Sequence, residues 1–326
     1  MSTGRLWLAA TLLAAGATLA ACGGAAVGPT PPPSNTSTPV STPLATLAPT
    51  AAAGAEDNPI QLFIVNEGGG RAVDNAASDL AASLSDATGL SVQVSVVDSD
   101  RAAVAVLCAA FDGPPALAFV SAPGYSAAAA LGCGFPLLLA QDRESDVLAR
   151  EVILIASEDS AIGVLADVND KTFCRLSAAD LVTWQAPALL MLANGIAPTS
   201  ALREVVDVPD IDTLVEQVAA GECDVAALYA DDFARIADAD MQANITRLAQ
   251  SVNLPLGVLM TAQEVPLGAR EALKEALREY ARTNVGAVAL SALLGVSGLA
   301  LPASDSLTDW DTFVDNTRLD FAGFDS

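Results

Sequence analysis

The sequence predicts an α/β fold in which mostly parallel sheets are flanked by helices. Two observations lead to this class. From about residue 58 onward, short apolar strands alternate with amphipathic helices, an order typical of parallel sheets with helices on both faces. The alternation also occurs as two successive series, with the second one beginning after a strand predicted at 151–157.

The first series starts with an apolar strand at 60–65, a Gly68-Gly69-Gly70 turn and a helix at 71–88. Apolar residues at helical spacing, such as Val73, Ala77 and Leu80, place one face of this helix in a core. Gly89 suits the position that follows a helix end. The series continues with a strand at 91–97, a helix at 100–110 and a strand at 116–120.

The second series follows the strand at 151–157, and Gly195 and Gly221 end two of its helices. Its predicted strands are a short one around Phe173, then 204–208, 225–229 and 255–261, and its helices are 187–194, 211–220 and 265–283. The segment 290–301 is apolar but short and contains glycines. We therefore expect it to be buried core and not a membrane span.

The first residues have the pattern of an export signal. Arg5 precedes a short apolar run, 6–21, which is too short and too rich in alanine for a membrane span. The run ends in Leu19-Ala20-Ala21-Cys22, which resembles the bacterial lipobox, whose cysteine is lipidated and becomes the mature N-terminus. We expect residues 1–22 to be a lipoprotein signal and Cys22 the anchored residue. The alternative is an ordinary signal with an incidental cysteine.

A tether is predicted to follow over residues 23–57. Residues 29–50 consist almost entirely of Pro, Thr, Ser and Ala, without apolar periodicity, so they cannot form a core. Proline keeps such a segment extended. We expect it to hold the folded part away from the membrane, although a disordered tail without that role would have the same composition.

Charge and composition exclude several function classes. A formal net charge of −24 argues against nucleic acid and anionic lipid surfaces as partners. The chain has no histidine, so a Ser-His-Asp or Cys-His catalytic site is impossible, and the commonest metal ligand is missing. We expect neither a cofactor nor a metal.

Four cysteines remain besides Cys22, namely Cys108, Cys133, Cys174 and Cys223. An even number in an exported chain indicates disulfides, and three pairings are possible. We favour Cys108–Cys133 and Cys174–Cys223, because each pair then falls within one half of the folded region. Four buried free thiols are the alternative, and a metal site is disfavoured by the absence of a CxxC spacing.

Three segments in a fixed order resemble one protein family. They are DVNDKTFCRLSAADLVTWQAPALLMLANGI at 167–196, VVDVPDIDTLVEQVAAGECDVAALYADDF at 205–233 and AFVSAPGY at 118–125. They look like the phosphate/phosphonate-type substrate-binding proteins of ABC transporters, and the resemblance covers most of residues 58–285. It implies a two-lobed, type II periplasmic-binding fold that closes like a Venus flytrap.

The resemblance also implies a domain plan. Lobe 1 would comprise residues 58–150 and 258–326, and lobe 2 residues 151–257. The crossings would lie near 151–157 and 254–261, and the last segment would pack back on lobe 1. The implied function is an exported, monomeric solute-binding lipoprotein that serves a membrane permease. Its ligand would be a phosphate- or phosphonate-like anion, with a sulfonate, an amine or a cationic metabolite as alternatives.

Ligands of such folds bind outside the carboxyl ends of the strands, where helix N-termini point. In lobe 1 this predicts contacts from Asn66, Glu67 and Arg71, in the turn after the first strand, and from Ser121 and Tyr125. The turn could instead be a plain one with a solvated arginine, and Tyr125 could lie on the lobe surface.

In lobe 2 the predicted contacts are Thr183, Trp184, Tyr229 and Asp231. The family has a hydroxyl-rich turn where this chain has Asp180-Leu181-Val182-Thr183. A phosphate-like ligand would be repelled by Asp180 unless that side chain turns away, for example to cap a helix together with Ser177. Trp184 could instead be a core residue.

Three function classes therefore compete. A transport binding protein is favoured, and a ligand sensor with the same fold is the second possibility. An enzyme is the least favoured, since it would depend on adjacent carboxylates such as Asp231 and Asp232, which point apart at a strand end.

Overall fold

The computed structural model describes residues 51–66, 68–236 and 238–322. The predicted signal, Cys22, most of the tether and Glu67 lie outside these residues. Folded structure begins before residue 58, because Ser91 N–H donates to the Gly54 carbonyl at 2.7 Å and Asn58 Nδ2 donates to the Ala51 carbonyl at 2.9 Å.

The described residues form eleven strands and eleven α-helices, which alternate through much of the chain. The strands are β1 (Ile60–Val65), β2 (Val92–Val97), β3 (Ala116–Val120), β4 (Phe135–Gln141), β5 (Ala149–Ser157), β6 (Thr172–Arg175), β7 (Glu204–Asp207), β8 (Val225–Tyr229), β9 (Ile245–Pro255), β10 (Val258–Thr261) and β11 (Gly298–Ala300). The helices are α1 (Arg71–Thr88), α2 (Asp100–Ala109), α3 (Ala122–Leu131), α4 (Ala186–Ala193), α5 (Pro198–Ala201), α6 (Ile211–Ala219), α7 (Ala230–Ile236), α8 (Ala239–Ala243), α9 (Leu267–Arg282), α10 (Asn284–Leu294) and α11 (Thr308–Thr317). None of the described helices is long and apolar enough to cross a membrane.

The strands form two sheets, as the predicted fold class requires. The first has the order β11-β4-β10-β3-β1-β2 and the second the order β7-β6-β8-β5-β9. β1 is parallel to β2 and β3, and β6 is parallel to β7 and β8. β10 and β5 run antiparallel to both of their neighbours. Most strands of each sheet thus run in one direction. The reversed strands are β10 and the edge strand β11 in the first sheet, since β11 is antiparallel to β4, and β5 in the second.

The chain passes between the two sheets twice. It leaves the first sheet after β4, crosses over residues 142–148, and returns from β9 to β10 through Leu256 and Gly257. The return crossing lies within the predicted 254–261, whereas the first crossing precedes the predicted 151–157, which is part of β5. Leu256 N–H donates to the Leu148 carbonyl at 3.0 Å and Ala140 N–H donates to the Gly257 carbonyl at 2.9 Å. The two crossings are thus bonded to each other.

Because of this connection, the carboxyl ends of parallel strands in both sheets lie near the crossings. Val120, at the end of β3, pairs with Val258 at the start of β10. Tyr229, at the end of β8, pairs with Val152 near the start of β5. Loops that follow parallel strands in either sheet therefore begin near the same junction.

Apolar burial follows the sequence periodicity. One core cluster packs the first sheet against α1, α9 and α10 and includes fully buried Ile60, Leu80 and Leu290. The predicted burial of 290–301 is observed for Leu290, Leu293 and Leu299, although Leu301 is exposed. Another cluster contains residues of both sheets, such as Leu139 and Val152.

The last helix differs from the expectation that the final segment packs on lobe 1. α11 contacts α3, but it also packs on α4 and β9, whose residues belong to the predicted lobe 2. The reason is Trp310, which is 1% exposed and donates its indole N–H to the Ser126 hydroxyl at 2.9 Å. Its large apolar ring needs a buried position, and the space between α3 and α4 supplies it.

Two disulfides join Cys108 to Cys133 and Cys174 to Cys223, which is the pairing favoured from the sequence. The Cα–Cα distances of 4.6 and 5.9 Å fall in the normal range for disulfides. Each disulfide therefore joins two segments of the same half, 58–150 for the first and 151–257 for the second.

We expect Trp310→Ala to lower the free energy of unfolding by about 3–5 kcal/mol, because it removes a large buried side chain and leaves a cavity. Urea denaturation would measure the change. Phe111→Ala is the matched control, since Phe111 is 77% exposed and its loss should cost no more than about 0.5 kcal/mol. Equal effects of the two substitutions would contradict the packing described for α11.

Candidate ligand-binding site

A cavity of about 350 Å³ lies where β1 and β3 end, beside the second crossing. We call it the crossing cavity. Its walls include Asn66, Ser121 and Gly257, together with apolar side chains such as Phe119 and Leu293. No charged side chain of the described residues lines it. The cavity has the position that ligands take in open α/β sheets, outside the strand carboxyl ends.

Asn66 holds the turn that follows β1. Its amide oxygen accepts hydrogen bonds from the backbone N–H of Gly68 at 3.1 Å and of Gly69 at 3.0 Å. Its amide nitrogen donates to the carbonyls of Ala292 and Leu293 at the end of α10, at 3.2 and 2.9 Å. The turn is therefore fixed to α10. Arg71, which begins α1, is exposed.

Ser121 lies at the start of α3 and is bonded to an acidic residue that the sequence analysis missed. Its backbone N–H donates to Asp100 Oδ1 at 2.8 Å, and its hydroxyl donates to Asp100 Oδ2. A Cβ on Gly124 would lie 2.5 Å from Asp100 Oδ1, so a glycine there allows the carboxylate to approach the helix. Burial raises the pKa of the Asp100 carboxyl, and the two hydrogen bonds from Ser121 oppose that rise.

Arg150 organises the corresponding edge of the second sheet, and it was not among the predicted contacts. Its guanidinium carbon lies 3.7 Å from the centre of the Tyr229 ring. Its Nη2 lies 2.6 Å from Asp231 Oδ1 and 3.2 Å from Asp232 Oδ2. Its Nε is buried and has no hydrogen-bond partner among the described residues.

Burial and the charge of Arg150 shift the pKa values of Asp231 and Tyr229. Burial would raise the pKa of Asp231, but the hydrogen bond and the charge of Arg150 outweigh it and lower that pKa. Burial raises the pKa of Tyr229 to about 12, against the opposing effect of the Arg150 charge. Arg150 is the ion-pair partner of both Asp231 and Asp232.

The Asp180 side chain caps the helical turn that follows it, which is the alternative to a ligand contact that the sequence analysis gave. It caps a π-helical turn, Leu181–Gln185, where its Oδ1 accepts from the N–H groups of Val182 at 3.1 Å and Thr183 at 2.6 Å. Its own N–H donates to the Ser177 hydroxyl at 3.1 Å. The sequence signal for this role was the Ser-x-x-Asp spacing.

Thr183 is buried in the second half, and Trp184 beside it is partly exposed. The Thr183 hydroxyl is fully buried, donates to Asp180 Oδ1 at 2.7 Å and accepts from Leu176 N–H at 3.0 Å. The Trp184 ring stands edge-on to Phe173 with centroids 5.5 Å apart, and the Arg175 guanidinium lies 4.6 Å from its centre. Thr183 is therefore packed and internally bonded, whereas Trp184 also lines a second cavity together with Gln185 and Leu189.

Tyr125 lies on the buried side of α3. It is 8% exposed, and its hydroxyl lies 3.3 Å from Asp311 Oδ2 on α11. Burial first, and then the negative charge of Asp311, raise its pKa to about 12.

The structure therefore divides the predicted contacts into separate groups. Asn66 and Ser121 share the crossing cavity, and Tyr229 and Asp231 share Arg150. Thr183 and Trp184 form a third group, and Tyr125 lies under α11. Asp100 could have been suspected from its position directly after a strand, whereas nothing in the local sequence distinguishes Arg150.

Comparison with known proteins supports this fold. A family model described as "ABC transporter, phosphonate, periplasmic substrate-binding protein" matches residues 70–307. Among curated proteins there is no match.

Solved structures with the same fold are numerous. XAC2383 from Xanthomonas citri, solved with ATP, is 15% identical, with 80% of this chain and 96% of that chain covered and a TM-score of 0.58. A binding protein component of an ABC phosphonate transporter from Pseudomonas aeruginosa is 16% identical, with coverages of 79% and 86% and a TM-score of 0.52. PhnD1 from Prochlorococcus marinus in complex with methylphosphonate is 12% identical, with coverages of 78% and 97% and a TM-score of 0.50.

We expect tyrosine ionisation, followed by absorbance at 295 nm, to occur well above the pKa of about 10 of free tyrosine, since Tyr125 and Tyr229 have a pKa of about 12. The raised pKa contributes stability that is complete below pH 10. It is lost as the pH rises toward 12, because the unfolded chain releases these protons first.

The control for this titration is Tyr229→Phe, which should remove one late-titrating group and flatten the loss of stability above pH 10. Circular dichroism at each pH would show whether the fold persists. Ionisation of all tyrosines near pH 10 in a folded protein would contradict the burial of both hydroxyls.

Proposed function

The chain belongs to the phosphonate-type periplasmic substrate-binding proteins of ABC transporters, and from this premise we propose that it binds a small solute in the crossing cavity. It delivers that solute to the permease of an importer, outside the cytoplasm and as a lipid-anchored monomer. The observation that carries the proposal is the position of the cavity beside the second crossing, at the carboxyl ends of β1 and β3. A solute there lies next to the segment about which the two halves would move.

In this proposal the two crossings act as the hinge. Gly257 has a φ of 150°, which disfavours residues with a side chain, and it lines the cavity. A solute that contacts residues on both sides of the crossings binds the closed arrangement better than the open one and shifts the population toward it. We assign the moving halves as residues 58–150 with 258–326, and 151–257.

Binding without catalysis agrees with the side chains present. The chain has no histidine, and the adjacent carboxylates of Asp231 and Asp232 are both bound to Arg150. Neither carboxylate is held in a position to act as acid or base on a bound solute.

The family favours a phosphate- or phosphonate-like ligand, with a sulfonate, an amine or a cationic metabolite as alternatives. PhnD1 from Prochlorococcus marinus binds methylphosphonate, but at 12% identity that complex is evidence of the shared fold alone. Which ligand class the cavity accepts depends on the charges and free hydrogen-bonding groups at its walls.

A screen of small solutes by thermal shift should yield a ligand that stabilises the protein by about 2.7 kcal/mol at a hundredfold excess over its Kd. Asn66→Ala should reduce that stabilisation, because it releases the turn that forms one wall. Asn75→Ala, an exposed asparagine on α1, is the matched control and should leave it unchanged. A ligand that binds both variants equally well would place the site elsewhere.

Lipid attachment is expected at Cys22. Metabolic labelling with radioactive palmitate in a bacterial host should label the wild-type protein and place it in the membrane fraction, because its acyl chains partition into the bilayer. Cys22→Ser should remove both the label and the membrane association. Membrane retention and labelling that persist in Cys22→Ser would show that the anchor is a different one.

A further inference from the structure

We propose that Asp100 determines the ligand class of the crossing cavity. Its carboxylate lies behind the cavity wall and engages the N–H and the hydroxyl of Ser121, which would otherwise be free to bind the anionic group of a solute. The cavity then takes a small uncharged or cationic solute and excludes phosphate, phosphonate and sulfonate groups. This inference rests on the proposed function, since it concerns the same cavity.

The first argument is the start of α3. The N-terminus of a helix attracts anions through its free N–H groups and its dipole. Here the N–H and the hydroxyl of Ser121, a residue that lines the cavity, both donate to Asp100. Both carboxylate oxygens of Asp100 accept these hydrogen bonds, so the donors of Ser121 are already engaged by a side chain of the protein itself.

The second argument is that the neighbouring amides are also occupied. The N–H groups of Gly68 and Gly69 in the turn after β1 donate to the side-chain oxygen of Asn66. The arrangement repeats in the second half, where the N–H groups of Val182 and Thr183 donate to Asp180. Each of these amide groups follows a strand, and each is satisfied by an internal oxygen. A phosphonate oxygen would have to displace one of them.

The third argument is charge. No charged side chain of the described residues lines the cavity, so no cation there offsets the Asp100 carboxylate behind Ser121. Arg150, at the edge of the second sheet, is shared by two carboxylates. A dianion in the cavity would therefore meet repulsion from Asp100, whereas an uncharged or cationic solute would not.

The test compares ligand classes on the purified full-length protein by thermal shift and calorimetry. The anionic probes are inorganic phosphate, methylphosphonate and methanesulfonate, and the others are small alkylammonium ions and neutral polyols at equal ionic strength. We expect no saturable shift from the anions with the wild-type protein. Asp100→Ala should gain saturable anion binding, at least tenfold tighter than any wild-type binding, because it frees the Ser121 donors.

Two further variants control for folding and net charge. Asp100→Asn retains the size of the side chain and an acceptor oxygen for Ser121 while it removes the charge, so it should fold and show a smaller gain. Asp112→Ala removes an exposed carboxylate beyond the other end of α2 and should behave as the wild type. A gain in Asp112→Ala equal to that in Asp100→Ala would overturn the proposal, because net charge would then explain it.

The outcomes separate this inference from the proposed function. Saturable binding of methylphosphonate by the wild-type protein, weakened by Asn66→Ala, would overturn the role of Asp100 and leave solute binding intact. Absence of binding by any class of solute to the wild-type protein and all variants would overturn both.

Discussion

The structure depends on the double crossing between its two sheets. Because the chain leaves the first sheet at the end of β4 and returns at the start of β10, both sheets present strand carboxyl ends to the same junction. Hydrogen bonds from Leu256 to Leu148 and from Ala140 to Gly257 hold the two crossings together. The crossing cavity and Arg150, near the start of β5, owe their places to this connection.

Packing across the junction limits how freely the halves can separate. Leu139 and Val152, from different sheets, belong to one apolar cluster, and Trp310 is buried where α11 contacts both halves. Any opening that separates such residues exposes apolar surface at a cost of about 25 cal/mol per Å². This packing therefore opposes separation of the two halves.

At the strand ends, side chains of the protein occupy N–H groups that a ligand could otherwise use. Loops and helix starts that follow parallel strands offer free N–H groups. In this chain the side chains of Asn66, Asp100 and Asp180 accept hydrogen bonds from these groups. Internal acceptors of this kind can alter the chemistry of a cleft without altering the fold around it, since function resides in the site and not in the architecture.

The sequence by itself determined the local elements and the fold class. The apolar periodicity of α1, the glycine at its end and the alternation of strands with helices were all visible in short windows of sequence, and the disulfide pairing followed from placing each pair in one half. Asp180 as a cap was also visible, because its partners are within three residues.

Only the tertiary structure decided which side chains meet at the ends of the strands. Asp100 and Ser121 are 21 residues apart, and Asn66 reaches a carbonyl 227 residues away. Arg150 joins Asp231 across 81 residues. Thr183 has the residue type of a ligand contact, yet its hydroxyl is buried and bonded internally. Such pairings depend on how the crossings bring distant strand ends together, and no local pattern of residues encodes that distance.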